Sequence, residues 1–242
     1  MKQASSQQYE RMKTRKHKCR VAVKKIKRRG PRDWEVRGAN ARPIILRAAR
    51  RVFARYPFKA ASTRVIAQQA RIEHPLIHYY FGSKEKLFEA VVREIYEEYN
   101  QANRSWLDGL VKMMPPEGFS LYLDRLVAYT LKNPEALQII FVNMAQLGGR
   151  EQIPGFHYIQ KHMDQVRAAV EKKIPIRGSK KEYKMFIHCF HNLVIALLGA
   201  RNAQALVLNL DPEGPEYHKW VKTALFKLFL PWLEKLIFPD KG

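Results

Sequence analysis

Residues 62–87, STRVIAQQARIEHPLIHYYFGSKEKL, restrict the fold more than any other part of the chain. Two short apolar stripes at helical spacing stand a few residues apart, and a third helix start follows at once. Ser62 has the side-chain oxygen that an N-cap uses, and Val65, Ile66 and Ala70 then fall on one inward face. The turn falls at Arg71, in a left-handed conformation that glycine would adopt at about 1–2 kcal/mol lower cost. Ile72 is placed to plug the angle between the helices. Pro75 suits the first turn of the second helix and should push His74 out of helical space. Ile77, Tyr80 and Phe81 share the inner face, which leaves Leu76, His78 and Tyr79 outward. Gly82 ends this helix and Ser83 caps the next. Lys84 then occupies a first turn, where a cation opposes the helix dipole and a phosphate partner would account for it. A unit of this shape places a helix in the major groove of DNA.

Charge agrees with that reading. Residues 1–88 hold 24 Lys and Arg against 5 Asp and Glu, while residues 89–242 hold 20 against 17, within a net charge of +22. A basic head on a near-neutral body implies a polyanion reader joined to a second function. Residues 1–40 carry 14 basic and 3 acidic residues with one small apolar cluster, Val21–Val23 and Ile26. They are expected to be disordered when free and to serve as a DNA arm. Arg28-Arg29-Gly30-Pro31-Arg32 loosely resembles the AT-hook, a minor-groove element whose core order differs.

With 46% hydrophobic residues the remainder can bury a core, which excludes collagen-like and wholly disordered classes. Cys19 and Cys189 cannot frame a disulfide scaffold, so reduced thiols are expected. No apolar segment follows the basic N-terminus as in a secretory signal, and the longest apolar run, Leu193–Leu198, is far short of the ~20 residues that span a bilayer. A cytoplasmic protein without a membrane partner is expected. Catalysis would need a recognisable constellation, and Gly-x-Ser-x-Gly, His-Glu-x-x-His, a phosphate-cradling Gly loop and paired-Cys zinc spacing do not occur. The reading is therefore non-enzymatic and without a cofactor. His188-Cys189-Phe190-His191 puts two His on one helix face and, with His157 and His162, invites a metal reading, but no close carboxylate or second Cys supports it and no metal is expected.

The other periodic segments are all helical. The first helix is expected over Pro43–Tyr56, with Ile45, Leu46, Ala49, Val52 and Phe53 as its stripe and Pro57 as its stop. Beyond Leu87 come a long helix to Asn100 or Ser105, and a shorter one ending at Met113–Pro116. Helices over Ser120–Lys132, Pro134 to Gly148-Gly149, and Phe156–Lys173 follow. Two long ones close the chain, over Ser179–Val207 and Glu216–Phe238, the last kinked at Pro231.

Ile45-Leu46-Arg47-Ala48-Ala49, Val52-Phe53-Ala54, Phe58, Ser62–Ala67 and Tyr80–Leu87 together resemble the DNA-binding domain of TetR-family transcriptional regulators over about residues 43–98. The resemblance implies an all-α fold: an N-terminal three-helix helix-turn-helix DNA-binding domain over 41–88, a fourth helix linking to about residue 100, and a C-terminal helical ligand-binding and dimerisation domain over 89–242. It implies a homodimer on a pseudo-palindromic operator in double-stranded DNA, acting as a ligand-responsive repressor. By position, Ser62, Thr63 and Arg64 would touch backbone or groove edge. His74, Pro75, Leu76, His78 and Tyr79 would lie in or beside the major groove, and Lys84 would hold a phosphate. His78 replaces the family's usual Tyr, Pro75 its small residue in the recognition turn, and Pro57 and Arg71 its usual Gly residues.

For the second domain, Phe190, Val194, Leu197, Leu198, Trp220, Leu225, Leu228 and Trp232 are expected to form a four-helix dimer interface. An unidentified small-molecule effector, apolar or aromatic, is expected among the middle helices, with Met113, Tyr122, Tyr129, Phe141, Met144 and Met163 as pocket residues. The competing reading is a structural nucleic-acid-binding protein driven by the basic arm, without an effector.

Overall fold

Helical spacing in the sequence becomes helix throughout: in a computed structural model describing residues 41–144, 153–155 and 157–239, every regular element is helical. The basic arm and its Arg28–Arg32 motif lie outside the described residues, as do Gly148-Gly149 and Phe156. The described residues belong to one compact unit.

Helix α1 (Ala41–Arg55) starts two residues before Pro43 and buries Ile45, Leu46, Ala49, Val52 and Phe53. It packs on α2 (Thr63–Ala70), α4 (Lys84–Trp106) and α6 (Pro134–Met144). Helix α2 ends in a left-handed residue, Arg71, at φ 55°. Ile72 N–H donates to Ala67 O and Arg71 N–H to Gln68 O, the paired bonds of a Schellman cap. Helix α3 (Pro75–Phe81) buries Ile77 and Phe81. Val65 departs from expectation: it is exposed, because the eight-residue α2 turns only Ile66, Ala67 and Ala70 toward the core.

Helix α4 serves two apolar cores. Leu87, Phe88, Val91 and Ile95 pack with α1–α3, and Tyr99 and Trp106 belong to the second core. Each such fully buried side chain contributes about 1.5–3 kcal/mol, so the helix is anchored at both ends. Arg50 makes two 2.8 Å bonds to the Glu98 carboxylate and ties α1 to the middle of α4.

A 3-10 turn at Leu110–Lys112 replaces the expected short helix, and α5 (Pro115–Lys132) begins on the two prolines expected to end that short helix, ahead of the expected start at Ser120. Prolines fit a first turn, where their missing N–H groups have no helical partner. Helix α7 (His157–Lys173) packs on α4, and α5 packs on α10 (Pro215–Ile237), which carries Pro231 inside it.

The expected single helix over Ser179–Val207 is broken. Helix α8 (Lys180–Val194) passes into a π-helical segment, Ile195–Gly199, and then into α9 (Arg201–Val207), with a bend of 78°. The bend brings Gly199 against α6, where a Cβ would lie 2.7 Å from Leu137 O and 2.9 Å from Phe141 Cβ. Tyr217 donates its hydroxyl to Leu197 O at 2.6 Å, satisfying a carbonyl of the π segment. No single helix among the described residues is long and apolar enough to cross a membrane.

Candidate DNA-reading face and ligand cavity

The outer side of α2 and α3 presents Arg64, Pro75, His78 and Tyr79 to solvent, with Tyr79 80% exposed, and leaves Ser62, Thr63, His74, Leu76 and Lys84 half-buried. Within this surface three expectations change. Ser62 occupies the N-cap position in extended conformation, but its side chain makes no capping bond. His74 is helical, at φ −52° and ψ −40°, despite the following proline. Its Nε2 lies 2.9 Å from Thr63 Oγ1, and its ring packs edge-on against His78, which holds it there. Thr63 and His74 therefore brace the two helices against each other.

Lys84 is the third change. Its ammonium donates to Phe58 O at 2.9 Å, Ala61 O at 3.2 Å and Lys59 O at 3.5 Å, and sits 4.6 Å from the centre of the Phe58 ring. The carbonyls exposed where α1 stops at Pro57 supply the negative partner that the helix start cannot. Ser83 caps α4 by accepting from Lys86 N–H, as its position predicts.

His78 Nδ1 lies 3.1 Å from Gly82 O. Because a carbonyl only accepts, the His78 ring donates to it through Nδ1.

The second core encloses a cavity of about 390 Å³ between the end of α4, the 3-10 turn, α5, α7, α8 and α10. Of the expected pocket residues, Met113 and Tyr122 line it. Tyr129 and Met163 do not: both are half-buried and pack against the second core. Phe141 and Met144 are exposed on α6 and also lie off the cavity. The residues that sequence reasoning missed include Tyr99, Phe119, Phe186, Phe190 and His191. No local signal separates an aromatic facing a void from one facing another aromatic.

Five of the eight expected interface residues are buried within the protomer. Phe190, Val194, Leu197, Leu198 and Leu225 are at most 7% exposed, all five being part of the second core. Phe190 also lines the cavity, and Trp232 is half-buried against the core. Trp220 and Leu228 remain exposed on α10, and Met185 on α8.

His191 forms the inner wall of the cavity, 4.9 Å between ring centres from His162. Burial drives the His191 imidazole down to about 4, with His188 adding to the shift, and holds His162 well below its ordinary value. His162 Nδ1 lies 2.8 Å from Asn100 Oδ1, while its Nε2 is buried without a hydrogen-bond partner. His188 is exposed, so the expected His188–His191 face is divided between solvent and core. Among the described residues no group of three His, Cys, Asp or Glu could hold a metal ion.

Residues 45–91 match the family model described as bacterial regulatory proteins, tetR family. The chain is 33% identical over 99 residues to the HTH-type transcriptional repressor NicS of Pseudomonas putida, covering 41% of this chain and 46% of that protein. It is 30% identical over 127 residues to the HTH-type transcriptional repressor SCO4008 of Streptomyces coelicolor, covering 52% and 60%. The matches thus span less than two thirds of these relatives' lengths. In fold, the chain is similar to the TetR-family transcriptional regulator PfmR of Thermus thermophilus, with a TM-score of 0.54 at 16% identity over 77% of this chain and 97% of that one. Residues 45–91, which hold the helix-turn-helix, thus match the tetR family of bacterial regulatory proteins, and over the rest of the chain the likeness is one of fold.

Proposed function

We propose that this chain is a ligand-responsive transcriptional repressor that binds a pseudo-palindromic operator in double-stranded DNA as a homodimer. The observation that carries the reading is the sharing of α4 between a basic helix-turn-helix and a core that holds an apolar cavity. The names of the two repressor relatives support the sign of regulation. Arg64, Pro75, Leu76, His78 and Tyr79 form the groove-facing surface, with Ser62 and the Thr63–His74 pair at its edge. Trp220 and Leu228 on α10, with Met185 on α8, form the exposed apolar face against which a second copy packs about a twofold axis. An effector in the cavity shifts the dimer between two half-site separations, only one of which matches the groove repeat of ~34–36 Å. DNA and effector then oppose each other reciprocally. The protein acts in the cytoplasm, where its operator is.

In-vitro selection of bound DNA, repeated at rising salt, tests the core of this reading. A regulator keeps a large preference for one operator as salt rises. An arm-driven binder loses nearly all affinity, with a slope of about 0.9 per phosphate neutralised, and that result sinks the proposal. His78→Ala tests the groove assignment. Operator affinity should fall by about 1–3 kcal/mol with relaxed specificity and unchanged dimerisation. Equal loss on operator and random DNA would make His78 a phosphate contact instead.

A further inference from the structure

The cavity is chemically lopsided. Its walls are aromatic and aliphatic, and its charged lining residues are Lys112 and Arg177, with no Asp or Glu among them. Both cations are exposed and stand at the mouth, among the exposed side chains of Val111, Met114 and Phe238. Neither makes an ion pair among the described residues, whereas nearby Lys173 is held by Asp108 at 2.6 Å. Arg177 is positioned by its backbone. Its N–H and that of Gly178 donate to Leu236 O at 2.8 and 2.9 Å, closing the end of α10, and a Cβ on Gly178 would lie 2.6 Å from Leu236 Cδ2.

From this distribution we infer that the effector is an amphipathic carboxylate, its acid held at the mouth by Arg177 and Lys112 and its apolar body running inward between α5, α7 and α8. The assignment rests on the effector reading above. A guanidinium offers a carboxylate two parallel donors and the ammonium a third contact, which fits one acid group. A phosphate would seek helix N-terminal N–H groups, but α5 opens at the mouth on Pro115 and Pro116, which have none. A cationic ligand would meet two like charges and no partner. At the inner end Tyr99 and His191 make no hydrogen bond with their side chains among the described residues, and their rings stand 6.0 Å apart. They can receive a hydroxyl or carbonyl carried on the ligand body, but not a second charge, which burial there would penalise.

Titration calorimetry on the full chain, with dodecanoate and 2-naphthoate as aliphatic and aromatic acids, tests the assignment. Their methyl esters serve as neutral controls and dodecylamine as the cation. At least one acid should bind about tenfold more tightly than its ester, with the advantage shrinking as salt rises. The combined Arg177→Gln and Lys112→Gln change should erase that advantage and leave ester binding unaltered; both side chains are exposed, so the fold is kept. Whichever acid binds more tightly tells an aliphatic source from an aromatic one. The assignment is overturned if no acid binds, if ester or amine binds as well as acid, or if the double variant keeps the preference. Operator release separates the two readings. An acid that binds without weakening DNA overturns the effector reading and leaves the carboxylate site standing. A neutral or cationic ligand that alone releases DNA does the reverse.

Discussion

The ammonium of Lys84 fills a cluster of carbonyls that the stop at Pro57 leaves open, so the residue anchors the loop leading into α2. Lys84→Met should destabilise the protein by about 1–2 kcal/mol in urea unfolding, because charged hydrogen bonds are lost at a half-buried site. Unchanged stability, with a DNA salt slope reduced by about one, would return Lys84 to the role of phosphate contact. The buried histidines make a second residue-scale prediction. In the unfolded chain both take a proton near pH 6.5, whereas in the folded state His191 resists down to about 4 and His162 also resists well below its ordinary value. The unfolded state thus binds more protons in that window, so the stabilisation is full above about 6.5 and is lost as pH falls towards 4. For His191 the loss is on the order of 3 kcal/mol. Urea midpoints should drop between about pH 7.5 and pH 5, and less steeply in His191→Leu; equal midpoints in the native chain would contradict the burial argument.

The α8–α9 bend shows where reading by periodicity stops. Leu193–Leu198 is apolar on every side, which a straight buried helix and a folded-in bend satisfy equally well. What distinguishes them is the approach of Gly199 to the Leu137 carbonyl, a contact 62 residues distant in sequence. Gly199→Ala should cost about 1–3 kcal/mol, since the new methyl meets backbone that cannot swing aside. A variant with a native unfolding midpoint would mean that α6 yields there. The helix-turn-helix was more legible because its signals are local: caps at Ser83 and Pro75, stripes at 3–4 spacing, and a left-handed turn at Arg71. Even so, the Thr63–His74 brace was invisible, because a bond across eleven residues overrode the backbone preference of a residue before proline.

Across the whole molecule, the fold class followed from periodicity and the family resemblance, while the cavity had to be seen. Met113 and Tyr122 were within reach of sequence reasoning as aromatic and thioether residues of middle helices. Arg177, in a loop, became a candidate only when Leu236 placed it at the mouth. Helix α4 passes unbroken through residue 88, where the DNA-binding part is expected to end and its linking helix to continue. A helix whose first half is buried in one core and whose second half is buried in another leaves no exposed linker between them. Calorimetry on residues 41–242 should accordingly record one unfolding transition rather than two. Brief trypsin treatment should not release an intact fragment ending near residue 100, although Arg93 and Arg104 offer cleavage sites on α4. Two well-separated transitions would contradict the shared helix. With a single transition, the helix-turn-helix cannot be excised as a separately folding module: a protease must spare or destroy both halves together.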